Sequence, residues 1–356
     1  MRVGIACNSF GRSGGMEQYA LKVVEALLQL GHTPVIFTMK ADETLPLYDD
    51  VEVHVCRTLR SWLPNKWNVV RFNRWLSELR QTVRTDMMMG CCLSLTSEIA
   101  MCGGTHIGFL KAMRRAPGWM DRWIIDLERR MYGEAVVVVA HSEAMKRELE
   151  SFYGICSEKI KVIYPPQSFK SPSIRAERSL LRKRFGLPED KTLFLFPSSS
   201  HKRKGIDLLK QYFSKTEFPE MLVVAGRPVK HPFKNMQYVG FCDDMPSLYQ
   251  ACDYTVMASL YEPLGMVGAE SVSCGTPAIM GRKIGCCEIL DSRAVRTFDE
   301  NSLEDFEQVM QDVRQSPLIL KTPYLQYIKP EGFGDAREHV TAMLSIYEKV
   351  ISKNQR

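Results

Sequence analysis

Along most of this chain, short apolar runs rich in β-branched residues alternate with amphipathic stretches of helical length. A strand followed each time by a helix predicts a parallel sheet covered by helices. Arg2–Cys7 reads as the first strand, Met16–Leu30 as a helix stopped by Gly31, and Pro34–Thr38 as the next strand. Asp86–Gly90, Ala135–Ala140 and Lys161–Tyr164 follow as strands, with helices near Asn68–Arg84, Asp121–Tyr132 and Ser142–Phe152. A second series then begins. Its strands are Leu193–Pro197, Met221–Ala225, Met236–Val239, Tyr254–Met257 and Pro277–Met280, with helices near Gly205–Phe213, Met245–Ala251 and Gly265–Ser273.

Between the two series lies Tyr164–Ser173, where three prolines among polar residues predict an extended linker. At 356 residues the chain exceeds what one core usually organises. The expectation is an α/β protein of two doubly wound domains, residues 1–165 and 166–334. A final helix, 335–356, follows a Pro/Gly-rich segment and is expected to cross back to the first domain. Two such halves imply a cleft, and open α/β sheets bind ligands outside the carboxyl ends of their strands.

A net charge of +6 points to anionic partners without choosing among nucleotide phosphate, phosphorylated acceptor, anionic lipid or nucleic acid. The 11 cysteines include the pairs Cys91-Cys92 and Cys286-Cys287 but no CxxC, and read as reduced core thiols rather than metal ligands. No apolar run suffices to span a bilayer, and the N-terminus is too short in apolar residues for a signal core. A cytoplasmic protein is expected.

The most informative stretch runs from Tyr261 to Ile279, YEPLGMVGAESVSCGTPAI. It leaves a strand through a Pro/Gly turn, enters a helix, and closes on Gly275-Thr276-Pro277. This places Glu262 before the helix and Glu270 about one turn inside it, with the amides of Leu264, Gly265 and Met266 at the helix start. Amides suit phosphate or sugar oxygens, and a carboxylate accepts paired hydrogen bonds from a diol. Two glutamates that merely complement a helix dipole are an equal alternative. Upstream, SSSHKRKGID from Ser198 to Asp207 joins a strand to a helix, with Arg203 and Lys204 just before Gly205. Cations there neutralise a departing diphosphate, although a basic loop is often only a solvated turn.

These segments resemble the E-x7-E signature of family 4 of the retaining glycosyltransferases, of GT-B fold, including the trailing Gly-Thr-Pro. The resemblance implies that Glu262 contacts the donor sugar and Glu270 the nucleotide ribose. Leu264-Gly265 stands where Phe-Gly is usual. Serines occupy the place of the family's phosphate-binding arginine, which leaves Arg203 as its replacement beside Lys204. The Arg-Lys-Gly-hydrophobic-Asp order is similar to that of lipopolysaccharide core glucosyltransferases of the WaaG type. Gly14 and Gly15, a tight turn on their own showing, correspond to a family loop facing donor and acceptor. Glu98 and His106, together with the stretch Leu127–Met131, match the acceptor region, where Asp is commoner than Glu at the first position.

What the resemblance implies is a hexosyltransferase acting from UDP-glucose or another nucleotide sugar on a glycolipid or oligosaccharide acceptor such as lipopolysaccharide core. No Asp-x-Asp string occurs, so no metal is expected and cationic side chains take the leaving group. Two rivals remain, a sugar-nucleotide epimerase of the same architecture and a non-enzymatic binder of anions through basic patches. Binding to nucleic acid is not expected, because Glu262 and Glu270 would repel phosphate and no recognised motif accompanies the basic residues.

Arg57–Arg84 holds seven Arg or Lys with Trp62, Trp67 and Trp75, and Lys111–Arg130 holds six more with Trp119 and Trp123. Helices with a solvated basic face and Trp in the core account for this composition. Contact with an anionic inner membrane accounts for it equally.

Overall fold

The computed structural model describes residues 1–12, 15–57, 65–166, 176–330 and 334–354, without the side chains of 65, 66, 353 and 354. It contains two compact units. One comprises Met1–Lys111, Arg115–Pro166 and Phe333–Arg356, the other Ala112–Arg114 and Gln167–Gly332.

The first unit runs β1 (Arg2–Cys7), α1 (Gly15–Gln29), β2 (Thr33–Thr38), β3 (Glu52–Val55), α2 (Asn65–Leu79), β4 (Met87–Gly90), β5 (Ile99–Cys102), α3 (His106–Ala112), α4 (Trp119–Glu134), β6 (Val137–Ala140), α5 (Glu143–Tyr153) and β7 (Ile160–Val162). Its strands form one sheet in the order β3-β2-β1-β4-β5-β6-β7, with every pair parallel. Because side chains alternate across a strand, β1 feeds two cores. Val3, Ile5 and Cys7 join the cluster under α1, while Ala6 packs with Phe37, Met88 and Phe72 under α2. Burial on both faces explains why these strands read as unbroken apolar runs. Burial also pushes the Cys7 and Cys102 thiols up to about 12, which keeps them unreactive.

The second unit continues with α6 (Arg178–Phe185), β8 (Thr192–Ser198), α7 (Ile206–Phe213), β9 (Glu220–Gly226), β10 (Met236–Gly240), α8 (Met245–Ala251), β11 (Tyr254–Met257), α9 (Met266–Ser273), β12 (Ala278–Gly281), β13 (Val295–Phe298) and α10 (Leu303–Gln315). Its sheet is also parallel, in the order β10-β9-β8-β11-β12-β13. Each unit thus has the doubly wound order, with a switch point between β1 and β4 in the first and between β8 and β11 in the second.

The last helix, α11 (Ala336–Asn354), belongs to the first unit and packs along α1. Val340, Met343 and Leu344 are buried in the α1 cluster. Three strands are absent from the sequence reading. β3 is a partly exposed edge of four residues, β5 follows β4 without an intervening helix, and β13 is a four-residue edge after a 3-10 turn. No helix among the described residues is long and apolar enough to cross a membrane.

Candidate active site

In the second unit the loops leaving β8 and β11 meet at the switch point. The loop after β8 carries Arg203 and Lys204, and the loop after β11 carries Glu262. Gly205 is what lets them approach. It has φ 81°, and a Cβ built there would lie 1.9 Å from the carbonyl oxygen of Ala258. The basic turn is therefore pressed backbone to backbone against the end of β11, and the Leu260 N–H donates to the Arg203 carbonyl at 2.9 Å. Only glycine combines that dihedral with that contact.

Arg203 Nη1 donates to Glu262 Oε2 at 2.9 Å and to the Tyr261 carbonyl at 2.7 Å. Both side chains stay partly exposed, so the pair is open to a ligand. Lys204 Nζ donates to the Pro197 carbonyl at 3.0 Å, at the end of β8. Burial lowers the Lys204 ammonium from its usual range, while Glu262 and Glu270 both act to raise it. Both carboxylates therefore act on this one ammonium.

Glu270 lies on α9 and accepts a hydrogen bond from the buried Tyr249 hydroxyl at 3.1 Å. Gly265 caps the start of α9 at φ 75°, where a Cβ would meet Ile284 at 2.6 Å and Glu262 at 3.0 Å. The helix start thus sits directly behind the Glu262 side chain. Leu264 turns its side chain into the interior, and its carbonyl accepts from the Cys286 N–H at 2.5 Å. Any role it has toward a ligand is through its backbone. Met266 is the first residue of α9 and is partly exposed. Together these groups offer cations and amides for a diphosphate and two carboxylates for hydroxyls.

In the first unit His106 opens α3, four residues beyond the carboxyl end of β5. Its Nε2 lies 2.7 Å from Asp121 Oδ1. The two oxygens of Asp121 also accept from Arg115 at 2.7 and 3.0 Å, and Oδ2 accepts from the Gly118 N–H at 2.8 Å. The hydrogen bond to His106, followed by that from Gly118, holds the Asp121 carboxyl down at about 2. The His106 N–H donates to Glu128 Oε2 at 3.0 Å, and the Tyr153 hydroxyl donates to the same oxygen. Burial raises the Glu128 carboxyl above its ordinary range despite these bonds.

Glu98 is placed elsewhere. It precedes β5, at the amino end of the strand, whereas His106 follows the carboxyl end. Its carboxylate accepts from Arg80 at 2.9 Å and from the Met88 N–H at 2.7 Å, tying α2's exit to the start of β4. Glu98 is a structural anchor rather than a catalytic group, because a parallel sheet separates its two edges by the full strand length. Gly15 starts α1, and a Cβ there would meet nothing within 4 Å, so packing does not demand glycine. Gly14 lies outside the described residues.

Asp121, Arg115 and Tyr249 were not among the site residues read from the sequence. Asp121 three residues after Gly118 at a helix start carried a capping signal, but nothing local tied it to His106. No cluster of three or more His, Cys, Asp or Glu set to hold a metal occurs among the described residues.

Residues 13–166 match the family model for Glycosyltransferase Family 4, and residues 177–322 match that for Glycosyl transferases group 1. A protein of Burkholderia thailandensis named a probable transglycosylase is 41% identical over 300 residues, covering 84% of this chain and 82% of the relative. The crystal structure of WaaG, a glycosyltransferase involved in lipopolysaccharide biosynthesis, superposes with a TM-score of 0.78 over 98% of both chains at 18% identity. HepE of Anabaena in complex with UDP and glucose superposes with a TM-score of 0.67 at 15% identity, over 100% of this chain and 99% of that one.

Proposed function

The chain belongs to glycosyltransferase family 4, and from that premise we propose that it is a retaining, metal-independent hexosyltransferase using a nucleoside diphosphate sugar, UDP-glucose first among them. The observation that carries this reading is the meeting of Arg203, Lys204, Glu262 and Glu270 at the switch point of the second unit. Arg203 and Lys204 would hold the diphosphate and stabilise its charge as it leaves. Glu262 would orient the sugar through its hydroxyls, and Glu270, steadied by Tyr249, would take the ribose diol. His106 would contact the acceptor in the first unit. Under this reading no enzyme nucleophile is needed, and the leaving phosphate accepts the proton of the attacking hydroxyl.

The fold shared with WaaG supports a glycolipid acceptor of the lipopolysaccharide core type, and the UDP and glucose in HepE support the donor. Incubation of the purified protein with UDP-glucose is expected to consume donor only when such an acceptor is added, giving a product with the donor's anomeric configuration by NMR. Epimerised donor in the absence of acceptor would instead establish the epimerase, and an inverted product would end the retaining assignment.

A second reading is that the protein works at the cytoplasmic face of an anionic membrane. Trp119 and Trp67 are exposed at 68% and 49%, and Arg71, Arg74, Arg122 and Arg129 are exposed on the same helices, α2 and α4. Exposed Trp beside Arg is the composition of an interfacial anchor. Trp75 does not contribute, because it packs against Phe37 and Phe72 with ring centroids at 6.3 and 5.7 Å. Trp62 lies outside the described residues.

A further inference from the structure

At the amino edge of the second sheet, hydrogen-bond donors outnumber the acceptors set against them. β9, β8, β11 and β12 are neighbours there, and Glu220, Thr192, Tyr254 and Pro277, at or just before their first residues, line one cavity of about 430 Å³. Arg178 of α6 and Arg314 of α10 line the same cavity. The loops holding Arg203, Lys204 and Glu262 leave the opposite, carboxyl ends of β8 and β11, so the cavity lies one strand length, roughly 20 Å, from them.

The acids of the cavity are spent. Asp253 accepts from Arg178 at one oxygen, and from Arg182 at 2.6 Å and the Leu193 N–H at 2.8 Å at the other. Glu220 accepts from Arg314 at 2.9 Å at one oxygen, and from the hydroxyls of Tyr212 at 2.6 Å and Thr216 at 3.3 Å at the other. The donors are not spent. A guanidinium carries five N–H donors, yet Arg178 makes no further hydrogen bond among the described residues and Arg314 uses only Nη1, on Glu220 and Tyr212. Tyr254 is 5% exposed, and its hydroxyl accepts the Leu318 N–H at 3.2 Å. Its own proton meets no acceptor among the described residues, and burial raises this hydroxyl from its usual range, so the proton stays in place. Arg178, Arg182 and Arg314 set against Asp253 and Glu220 leave one positive charge over. An occupant that supplies oxygen acceptors and negative charge removes the cost of these unmet donors.

We propose that this amino-edge cavity binds a small organic phosphate, its phosphoryl oxygens taken by Arg178, Arg314 and the Tyr254 hydroxyl and its organic body by Phe194, Val313 and Leu320. Three separate donor groups line the cavity, and a phosphoryl group presents three acceptor oxygens where a carboxylate presents two. The apolar wall is firm, because the Phe194 and Tyr254 rings stack at 5.4 Å with 15° between their planes. The volume is that of a small-molecule site.

Phenyl phosphate is the probe, titrated by calorimetry into the full-length protein. In Arg178→Gln the Asp253 carboxylate keeps Arg182 and the Leu193 N–H, so no buried charge is left bare. Affinity of this variant for the probe should fall by roughly tenfold or more, the scale of a lost hydrogen bond to a charged group, and Tyr254→Phe should bind about fivefold more weakly. Lys204→Ala, at the opposite edge, should bind the probe as the wild type does, and benzoate should bind the wild type more weakly than phenyl phosphate. No binding to the wild type, or wild-type affinity in folded Arg178→Gln or Tyr254→Phe, overturns the site. Binding lost in Lys204→Ala overturns it by moving the ligand to the carboxyl edge, and benzoate bound as tightly as phenyl phosphate overturns the choice of phosphate. Should Arg178→Gln fail to fold, Tyr254→Phe carries the same test.

Discussion

Lys204 shows how a single residue can be legible in type and invisible in circumstance. A lysine before glycine in a strand-to-helix loop is readable locally, but its burial and its exposure to two carboxylates come from the loops after β8 and β11 folding onto one another. Lys204→Ala is expected to lower kcat by roughly 10²–10³, equivalent to about 3–4 kcal/mol of transition-state stabilisation. Near-normal turnover of the folded variant would remove Lys204 from the mechanism. The pH sign follows from the same burial. A lysine lowered from its ordinary range loses its charge earlier as pH rises, so donor affinity should weaken on the alkaline side before exposed lysines titrate. Glu98 is the opposite case. Its motif position was readable, yet its side chain belongs to Arg80 and the amino end of β4, which spacing alone does not reveal.

Among elements, α11 depends most on distant partners. Its His339 Nε2 meets the Tyr19 hydroxyl of α1 at 2.8 Å, and its Nδ1 meets the Tyr164 carbonyl at 3.0 Å. The Tyr19 ring lies against His141, which follows β6, with centroids 4.9 Å apart. Burial lowers His339 to about 4 and His141 to about 3. Both groups are neutral when folded, and their unfolded forms protonate near the ordinary histidine value. Stability from this contact is therefore complete above about pH 6.5 and is lost as pH falls toward 4 and then 3. His339 alone accounts for about 3 kcal/mol over that window. Thermal melts from pH 7 to pH 4 should show the decline, and His339→Phe should flatten it. An equally steep decline in His339→Phe would show that other groups drive it. The helix itself was evident from its pattern, but the face it covers was set by the apolar stripe of α1.

For the molecule as a whole, the net charge of +6 matters less than where the basic residues and tryptophans surface. On α2 and α4 they share exposed positions with Trp67 and Trp119. Sedimentation with anionic vesicles at low salt should capture the protein, and capture should fade as salt shortens the screening length. Trp119→Ala with Arg122→Ala should weaken it further, since each basic residue near such a surface contributes about 1 kcal/mol. Equal binding to neutral vesicles, or none to anionic ones, would remove the membrane from the account.

Periodicity and turn residues by themselves determined that the chain makes two parallel α/β sheets. Strand-helix alternation, helix stops and the glutamate spacing are local properties of the backbone and its side chains. Short edge strands escaped because four half-buried residues carry too little pattern. The meeting of Arg203 with Glu262, the clamp of Asp121 on His106, and the diversion of Glu98 to Arg80 were decided only by tertiary structure. Arg203 meets Glu262 because β8 and β11 are neighbours in the sheet, and the other two contacts join residues of different elements; which elements lie side by side follows from packing rather than from any one segment.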